Sequence, residues 1–239
     1  MSMITTTVIL IEPDNAGNTG AICRAMKNFD FEDLVLVAPK FRTDSEDLRN
    51  RAKWANDLVD KIDILPKYNE KVLKKLRKDF DYIICDSPAG IEHGAMTALY
   101  HADAAIIVTN PEVSSVRDSD RIIGMLASKT RRAEKREKPV EEHLLLTRYS
   151  PARVKKGEML SVEDVKEILS VPLLGIIPES ESVLKASNTG MPVILDAESP
   201  AGRAYDDAVA RYLGEQREMR FVMPERRSFL RGWFGRAAS

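Results

Sequence analysis

Two kinds of hydrophobic spacing alternate along the chain. Thr5–Ile11 (TTTVILI) is a continuous apolar, β-branched run, which predicts a buried strand closed by Glu12-Pro13. A loop, Asp14-Asn15-Ala16-Gly17-Asn18-Thr19-Gly20, follows it. Ile22, Ala25, Met26 and Phe29 then recur at helical spacing and predict a helix over Ala21–Phe29. Leu34–Val37 (LVLV) reads as a second strand ended by Pro39, and Asp44 or Ser45 is the candidate cap of a helix running through Leu58 and Ile62. Ile62–Leu65 suits a short strand, Pro66 interrupts it, and Glu70–Lys78 (EKVLKKLRK) reads as an exposed amphipathic helix. A βαβα opening of this kind predicts a parallel sheet.

The same rhythm continues to the C-terminal region. Phe80–Cys85 (FDYIIC) predicts a buried strand that ends at Asp86, after which Ser87-Pro88-Ala89-Gly90 turns the chain. A carboxylate delivered to the C-terminal edge of a parallel strand stands where open α/β sheets bind ligands. There it either holds the water shell of Mg²⁺ beside phosphates or caps the following turn. Ala104–Val108 (AAIIV), His143–Leu146 and Leu173–Ile177 predict further buried strands, the last followed by Pro178-Glu179. Between them lie helices over Val113–Ser128, with Val116, Ile122, Ile123 and Leu126 inward, and over Ser161–Leu169, with Ser161 and Asp164 as a capping box. Lys129–Lys138 (KTRRAEKREK) predicts a mobile solvated loop, and Ser199–Leu213 the last core helix. The fold class expected is α/β, a doubly wound, mostly parallel sheet.

Composition narrows this little further. The chain has 239 residues, a net charge of −1, 44% hydrophobic and 31% charged residues, which describes a soluble globular protein with no general attraction to nucleic acid. Cys23 and Cys85 lie in apolar contexts without metal-ligand spacing and are expected to be core thiols of a reducing cytoplasm. No apolar run approaches the ~18 residues of a membrane span, and no secretory leader precedes the first strand.

The loop after the first strand carries neither G-x-G-x-x-G nor G-x-x-x-x-G-K-[ST]. The stretch EPDNAGNTGAICRAMKNFDFEDLVLV instead resembles the opening motif of the SPOUT RNA 2′-O-methyltransferases of TrmH/TrmJ type, with Gly17, Asn18, Gly20, Arg24 and Phe29 all matching. That resemblance implies that Asn18 and Arg24 line a catalytic pocket, the arginine placing the RNA and activating its ribose hydroxyl. It covers about the first 60 residues. The later family motifs that form the S-adenosylmethionine pocket are not visible downstream, so S-adenosylmethionine is not expected to bind. The bland reading of the same residues is that Asn18 caps a helix and Arg24 lies on the surface.

From about Tyr68 to Arg236 the chain resembles the ParA/MinD family of deviant-Walker ATPases. The resemblance rests on CDSPAGIEHGAMTALYHADAAIIVTNPEVSSVRDSDRIIGMLASKTRRAE, EHLLLTRYSPARV, GIIPES, VLKASNTGMPVILD and RRSFLRGWFGR. It implies that Asp86 is the Walker B acid and, through water, the Mg²⁺ ligand, and that Gly90 ends the switch sensing the γ-phosphate. Thr147, Arg148 and Pro178 would surround the adenine of ATP. Asp118 and Asp120 would lie on the helix that docks the regulators MinC and MinE, and a homodimer is possible. The family's lysine-rich Walker A loop is missing, and no Gly-Lys-Ser/Thr triplet occurs in the chain. The sequence therefore reads as a hybrid: residues 1–65 SPOUT-like, 66–216 MinD-like, and 217–239 a tail. Nucleotide hydrolysis is expected to be impaired. The alternatives are a methyltransferase acting on tRNA or rRNA and an inactive chimera.

The tail is legible without either resemblance. Glu225–Ala237 (ERRSFLRGWFGRA) places Phe229, Leu230, Trp233 and Phe234 on one helical stripe about 140° wide, rimmed by Arg226, Arg227, Arg231 and Arg236. Aromatic bulk with a basic rim suits an interfacial helix on anionic lipid. Gly232 and Gly235 weaken that helix by ~1 kcal/mol each. The expected location is cytoplasmic, at the inner face of the inner membrane.

Overall fold

A computed structural model describes residues 7–65, 76–78, 80–85, 99–189 and 191–221. These divide into two compact units, described separately below. One holds the described residues up to 84 with 185–192; the other holds those from 85 to 184 and from 193 onward.

In the first unit, strands β1 (Thr7–Ile11), β2 (Asp33–Val37) and β3 (Asp63–Leu65) form a parallel sheet in chain order, with Thr7 opposite Asp33 and Val35 opposite Asp63. Helix α1 spans Ala16–Asn28, five residues earlier than its apolar spacing predicts. The cause is Asn15, whose side-chain oxygen accepts the Asn18 N–H at 2.9 Å and starts the helix inside the expected loop. Helix α2 (Glu46–Ala52) is capped by Ser45, as expected, but it does not run on to Ile62. Lys53 takes φ 51° and ψ −114°, and a 3₁₀ turn (Lys53–Ala55) leads into α3 (Asn56–Val59). This break buries Ala52, Ala55, Leu58 and Val59 together, in one cluster with Cys23, Met26, Leu34, Leu36 and Leu48. Val8 and Leu10 pack on the same cluster, so all three helices belong to one face of the sheet.

Phe80–Cys85 departs from expectation most. Among the described residues it pairs with no strand; Tyr82 is 65% and Ile84 92% exposed, and Cys85 is exposed rather than a core thiol. An apolar run becomes a buried strand only when neighbours accept its hydrogen bonds and cover its faces.

The second unit holds β4 (Ala104–Thr109), β5 (Glu141–Tyr149) and β6 (Leu173–Pro178), again parallel and in chain order. Helix α4 (Val113–Lys129) and α7 (Val162–Leu169) connect them; Val116, Leu126, Val162, Val165 and Leu169 form one core with Ile107, Leu144, Leu146 and Ile176. Helix α9 (Pro200–Tyr212) covers the opposite face, packing Ala201, Ala204 and Ala208 on Leu145, Leu174 and Ile177. Short α6 (Pro151–Lys155) follows β5, and α8 (Glu181–Thr189) spans the boundary between the residues of this unit and those grouped with the first. The Ser161–Asp164 capping box is formed in both directions, each bond 3.0 Å.

The charge run expected to be a mobile loop is ordered. Thr130 caps α5 (Arg131–Glu134), and Arg132 pairs with Asp103 while Arg131 pairs with Glu137. The second pair lies within the run, and the first ties it to Asp103, just before β4. The fold is α/β with parallel sheets, as the hydrophobic rhythm implies.

Candidate functional site

Polar groups converge at the C-terminal edge of the β4–β5–β6 sheet. Strand β5 does not stop at Leu146 but runs through Thr147 and Arg148 to Tyr149, which pairs with Pro178 across a register shift. Arg148 takes φ 55°, a left-handed geometry uncommon for a long side chain. That one residue absorbs the irregularity, so that Tyr149 can be buried and its carbonyl can accept the Glu179 N–H at 2.9 Å. Thr147 donates its hydroxyl to Asn110 Oδ1 at 2.9 Å, joining the end of β5 to the end of β4. The loop beyond β4 is held from the other side: the Pro111 carbonyl accepts the Leu160 N–H at 3.0 Å, and Glu112 faces Arg153 at 3.6 Å. Thr147, Arg148 and Pro178 therefore lie together on one sheet edge, with Asn110 as a partner that strand pattern alone did not single out. Burial, and then the charge of Glu163, push the Tyr149 phenol above its ordinary range.

Asp118 and Asp120 are both exposed on α4, and Asp118 lies 3.6 Å from Arg121 one turn on. Asp86 and Gly90 lie outside the described residues, as do Arg226, Arg227, Phe229, Leu230, Arg231, Trp233 and Phe234. Among the described residues no group of three or more His, Cys, Asp or Glu side chains is placed to hold a metal ion, and no helix is long and apolar enough to cross a membrane.

The other candidate is the start of α1. Its glycines are engaged in helix packing. A Cβ on Gly20 would stand 2.3 Å from the Leu48 carbonyl oxygen and 2.9 Å from the Ala52 nitrogen; one on Gly17 would stand 2.7 Å from an Asp47 carboxylate oxygen. They let α1 approach α2 closely. A phosphate cradle needs a run of unengaged backbone N–H groups facing an open cavity. Here the Asn18 and Thr19 N–H groups already bond to Asn15, and α2 crosses at contact distance. These residues do not fit a nucleotide's phosphates.

Asn18 and Arg24 share α1 six residues apart, which turns them about 120° from each other on the helix. Asn18 is exposed and is not itself the cap; Asn15 is. The Arg24 guanidinium carbon lies 6.0 Å from the Trp54 ring centroid, and its Nε is buried with no hydrogen-bond partner. The fold gives this arginine an aromatic neighbour. Cys23, one residue earlier, is fully buried, and that burial pushes its thiol up to about 11.

Known proteins resemble the chain in two different ways. Residues 5–114 match the SpoU rRNA Methylase family. Over 166 residues the chain is 64% identical to the septum site-determining protein MinD of Escherichia coli (strain K12), an alignment covering 69% of the chain and 62% of that protein. The MinD of Buchnera aphidicola (subsp. Acyrthosiphon pisum) is 64% identical over 168 residues, covering 70% and 62% respectively. The chain thus spans about 62% of the length of these curated relatives. Among solved structures it is similar to the MinD cell division protein of Aquifex aeolicus, at 30% identity and a TM-score of 0.58, covering 90% of the chain and 100% of that protein. The MinC:MinD cell division protein complex of the same organism follows at 29% identity and a TM-score of 0.59.

Proposed function

The chain belongs to the MinD family of septum site-determining proteins, and from that premise we propose that it is a cell-division site-selection module that binds the membrane peripherally through residues 217–239. The observation that carries this reading is the 64% identity to septum site-determining MinD over 166 residues. In this reading α4 presents the exposed Asp118 and Asp120 to regulators of the MinC and MinE kind. The Aquifex aeolicus MinC:MinD complex supports a partner of that class. The tail's arginines contribute about 1 kcal/mol each near an anionic surface, so one copy binds weakly and reversibly, and a homodimer doubles the anchor. The module works at the inner face of the inner membrane.

The nucleotide is held poorly. Thr147, Arg148 and Pro178 form the edge that would face adenine, and Asp86 would order Mg²⁺ through water. The sequence nevertheless has no Gly-Lys-Ser/Thr, and the glycines after β1 are occupied by α2. Losing phosphate donors costs ~10²–10³ in rate for each. Sedimentation with anionic vesicles tests the core of the proposal. The full chain should pellet with lipid and a chain ending before Glu225 should stay in solution; equal behaviour removes the membrane role.

A second reading is supported by the SpoU rRNA Methylase match over residues 5–114: an RNA 2′-O-methyltransferase fragment with Asn18 and Arg24 in its pocket. It requires S-adenosylmethionine binding, and calorimetry showing no heat disposes of it.

A further inference from the structure

Helix α9 ends where strands β5 and β6 begin. Its last residue, Tyr212, meets the ring of His143, third in β5, edge-on at 5.3 Å. Arg211 donates from Nη1 to the carbonyl of Leu174, second in β6, at 2.7 Å. Gly175 permits that approach: a Cβ there would stand 2.9 Å from the Ala208 Cβ and 3.5 Å from Arg211 Nη1. Thr147, Arg148 and Pro178 lie at the other ends of the same two strands, and β6 from end to end spans about 17 Å.

The chain is held as it leaves this corner. Gly214 takes φ 93°; its N–H bonds to the Arg211 carbonyl at 3.0 Å and that of Glu215 to the Ala210 carbonyl at 2.9 Å, a left-handed helix stop that turns the chain back. The rest of the Arg211 fork catches the returning segment. Its Nε donates to the Arg217 carbonyl at 2.9 Å and its Nη2 to the Glu218 carbonyl at 2.6 Å, so one planar group ties two successive carbonyls to β6. Arg220 then lays its own fork on Asp207, one turn before Arg211 on α9: Nε lies 2.9 Å from Oδ2 and Nη2 donates to Oδ1 at 3.2 Å. Asp207 is only 2% exposed, so its charge is desolvated and depends on that partner. Phe221 packs against the clusters on both faces of the sheet. Residues 214–221 form no helix or strand; side chains hold them.

We propose that Arg211 and the Asp207–Arg220 pair are a mount for the chain beyond residue 221. They fix its root at the starts of β5 and β6, so that the unit stands on whatever surface residues 222–239 hold with the Thr147–Arg148–Pro178 edge turned away. That this surface is anionic lipid rests on the membrane role proposed above. Eight loose residues would reach up to about 26 Å and let the unit face its anchor any way round. Clamped, they keep that edge open while the protein is anchored. Arg211, Asp207 and Arg220 act here as positioning residues.

Two measurements separate the mount from the membrane role. The first needs no lipid: a nitroxide on Gln216→Cys in a full-length Cys85→Ser chain, where the fully buried Cys23 stays unlabelled. Its spectrum should show restricted motion, which Arg211→Ala and Asp207→Leu each convert to the fast motion of a loose chain, with unchanged far-UV circular dichroism. Asp207→Leu leaves no unpaired buried charge behind, and it decides the matter if Arg211→Ala unfolds the protein. Fast motion in the parent, or restricted motion that either folded variant leaves unchanged, overturns the mount. The second measurement uses anionic vesicles with an energy acceptor among the headgroups. A donor dye on Leu213→Cys, exposed at the end of α9, should transfer strongly, and one on Glu179→Cys, exposed beside Pro178, weakly. Either variant should bring the two efficiencies together and leave the bound fraction unchanged. Equal transfer from the two positions in the parent overturns the orientation. Vesicles that bind no chain remove the membrane role, and the first measurement then decides the mount by itself.

Discussion

Gly20 and Gly17 face the same helix but at different kinds of contact, which makes them a controlled pair. The Cβ of an alanine at Gly20 would meet main-chain atoms of Leu48 and Ala52, which move only if α2 moves. At Gly17 the nearest atom is the tip of the Asp47 side chain, which can swing aside. Overpacking of the first kind costs about 1–3 kcal/mol. Gly20→Ala should therefore lower the urea midpoint of the first unit clearly, while Gly17→Ala should stay within about 0.5 kcal/mol of the parent. Equal effects would mean that the glycines serve something other than the approach of α1 to α2. The cysteines give a second prediction. Cys23 is fully buried with its thiol pushed from 9.0 up to about 11, and Cys85 is exposed. At pH 8 a thiol reagent should modify Cys85 quickly and Cys23 only when the protein unfolds. The raised value means the folded state holds that proton more tightly. The stability it contributes is complete below about pH 9 and is lost as the pH climbs towards about 11. A denaturation series across that window should show the fall, and Cys23→Ala should flatten it.

At the scale of elements, conformation at one residue decides what pattern cannot. The apolar spacing from Leu48 through Leu58 to Ile62 reads as one helix, and every one of those positions does turn inward. What spacing leaves open is the break at Lys53, whose φ and ψ lie in a region natural to glycine. Lys53→Gly should thus stabilise the protein slightly or leave it unchanged, against glycine's usual cost of about 1 kcal/mol in a helix. A clear loss would show that the lysine is not strained. Caps were readable because they are local: Ser45 and the Ser161–Asp164 box follow from side chains a turn away. Ser161→Ala should cost about 1 kcal/mol by urea denaturation. Strands β1, β2, β4, β5 and β6 were legible for the same reason as Phe80–Cys85 was misread. A run of Val, Ile and Leu reports a preference for burial, and whether a partner strand is there to satisfy it is settled far along the chain.

The whole molecule joins two sequence signals that do not supply each other's chemistry. The start of the chain matches one family and most of the remainder another, and each match was visible as a motif before any fold was known. The motif did not disclose how the glycines of the first segment are used. In a loop, Gly17 and Gly20 could have opened the backbone to a phosphate; inside α1 they close it against α2. In the second unit Thr147 with Asn110 and Arg148 builds a polar sheet edge, the place proposed for a nucleotide's base, while no Gly-Lys-Ser/Thr triplet occurs in the sequence. A population shift needs a ligand that binds one state better than the other. Under the proposed function, a nucleotide with no phosphate grip would have little differential affinity with which to drive the chain to a membrane. Vesicle sedimentation of the full chain should accordingly give the same bound fraction with and without Mg²⁺-ATP, and the same again with ADP. A rise in binding with ATP alone, or Mg²⁺-dependent hydrolysis by the purified chain, would mean that a phosphate site has been rebuilt from other residues. Asp86 would then be the first position to replace, since Asp86→Asn should abolish an activity that depends on a water-ordered Mg²⁺ and leave lipid binding by the tail untouched.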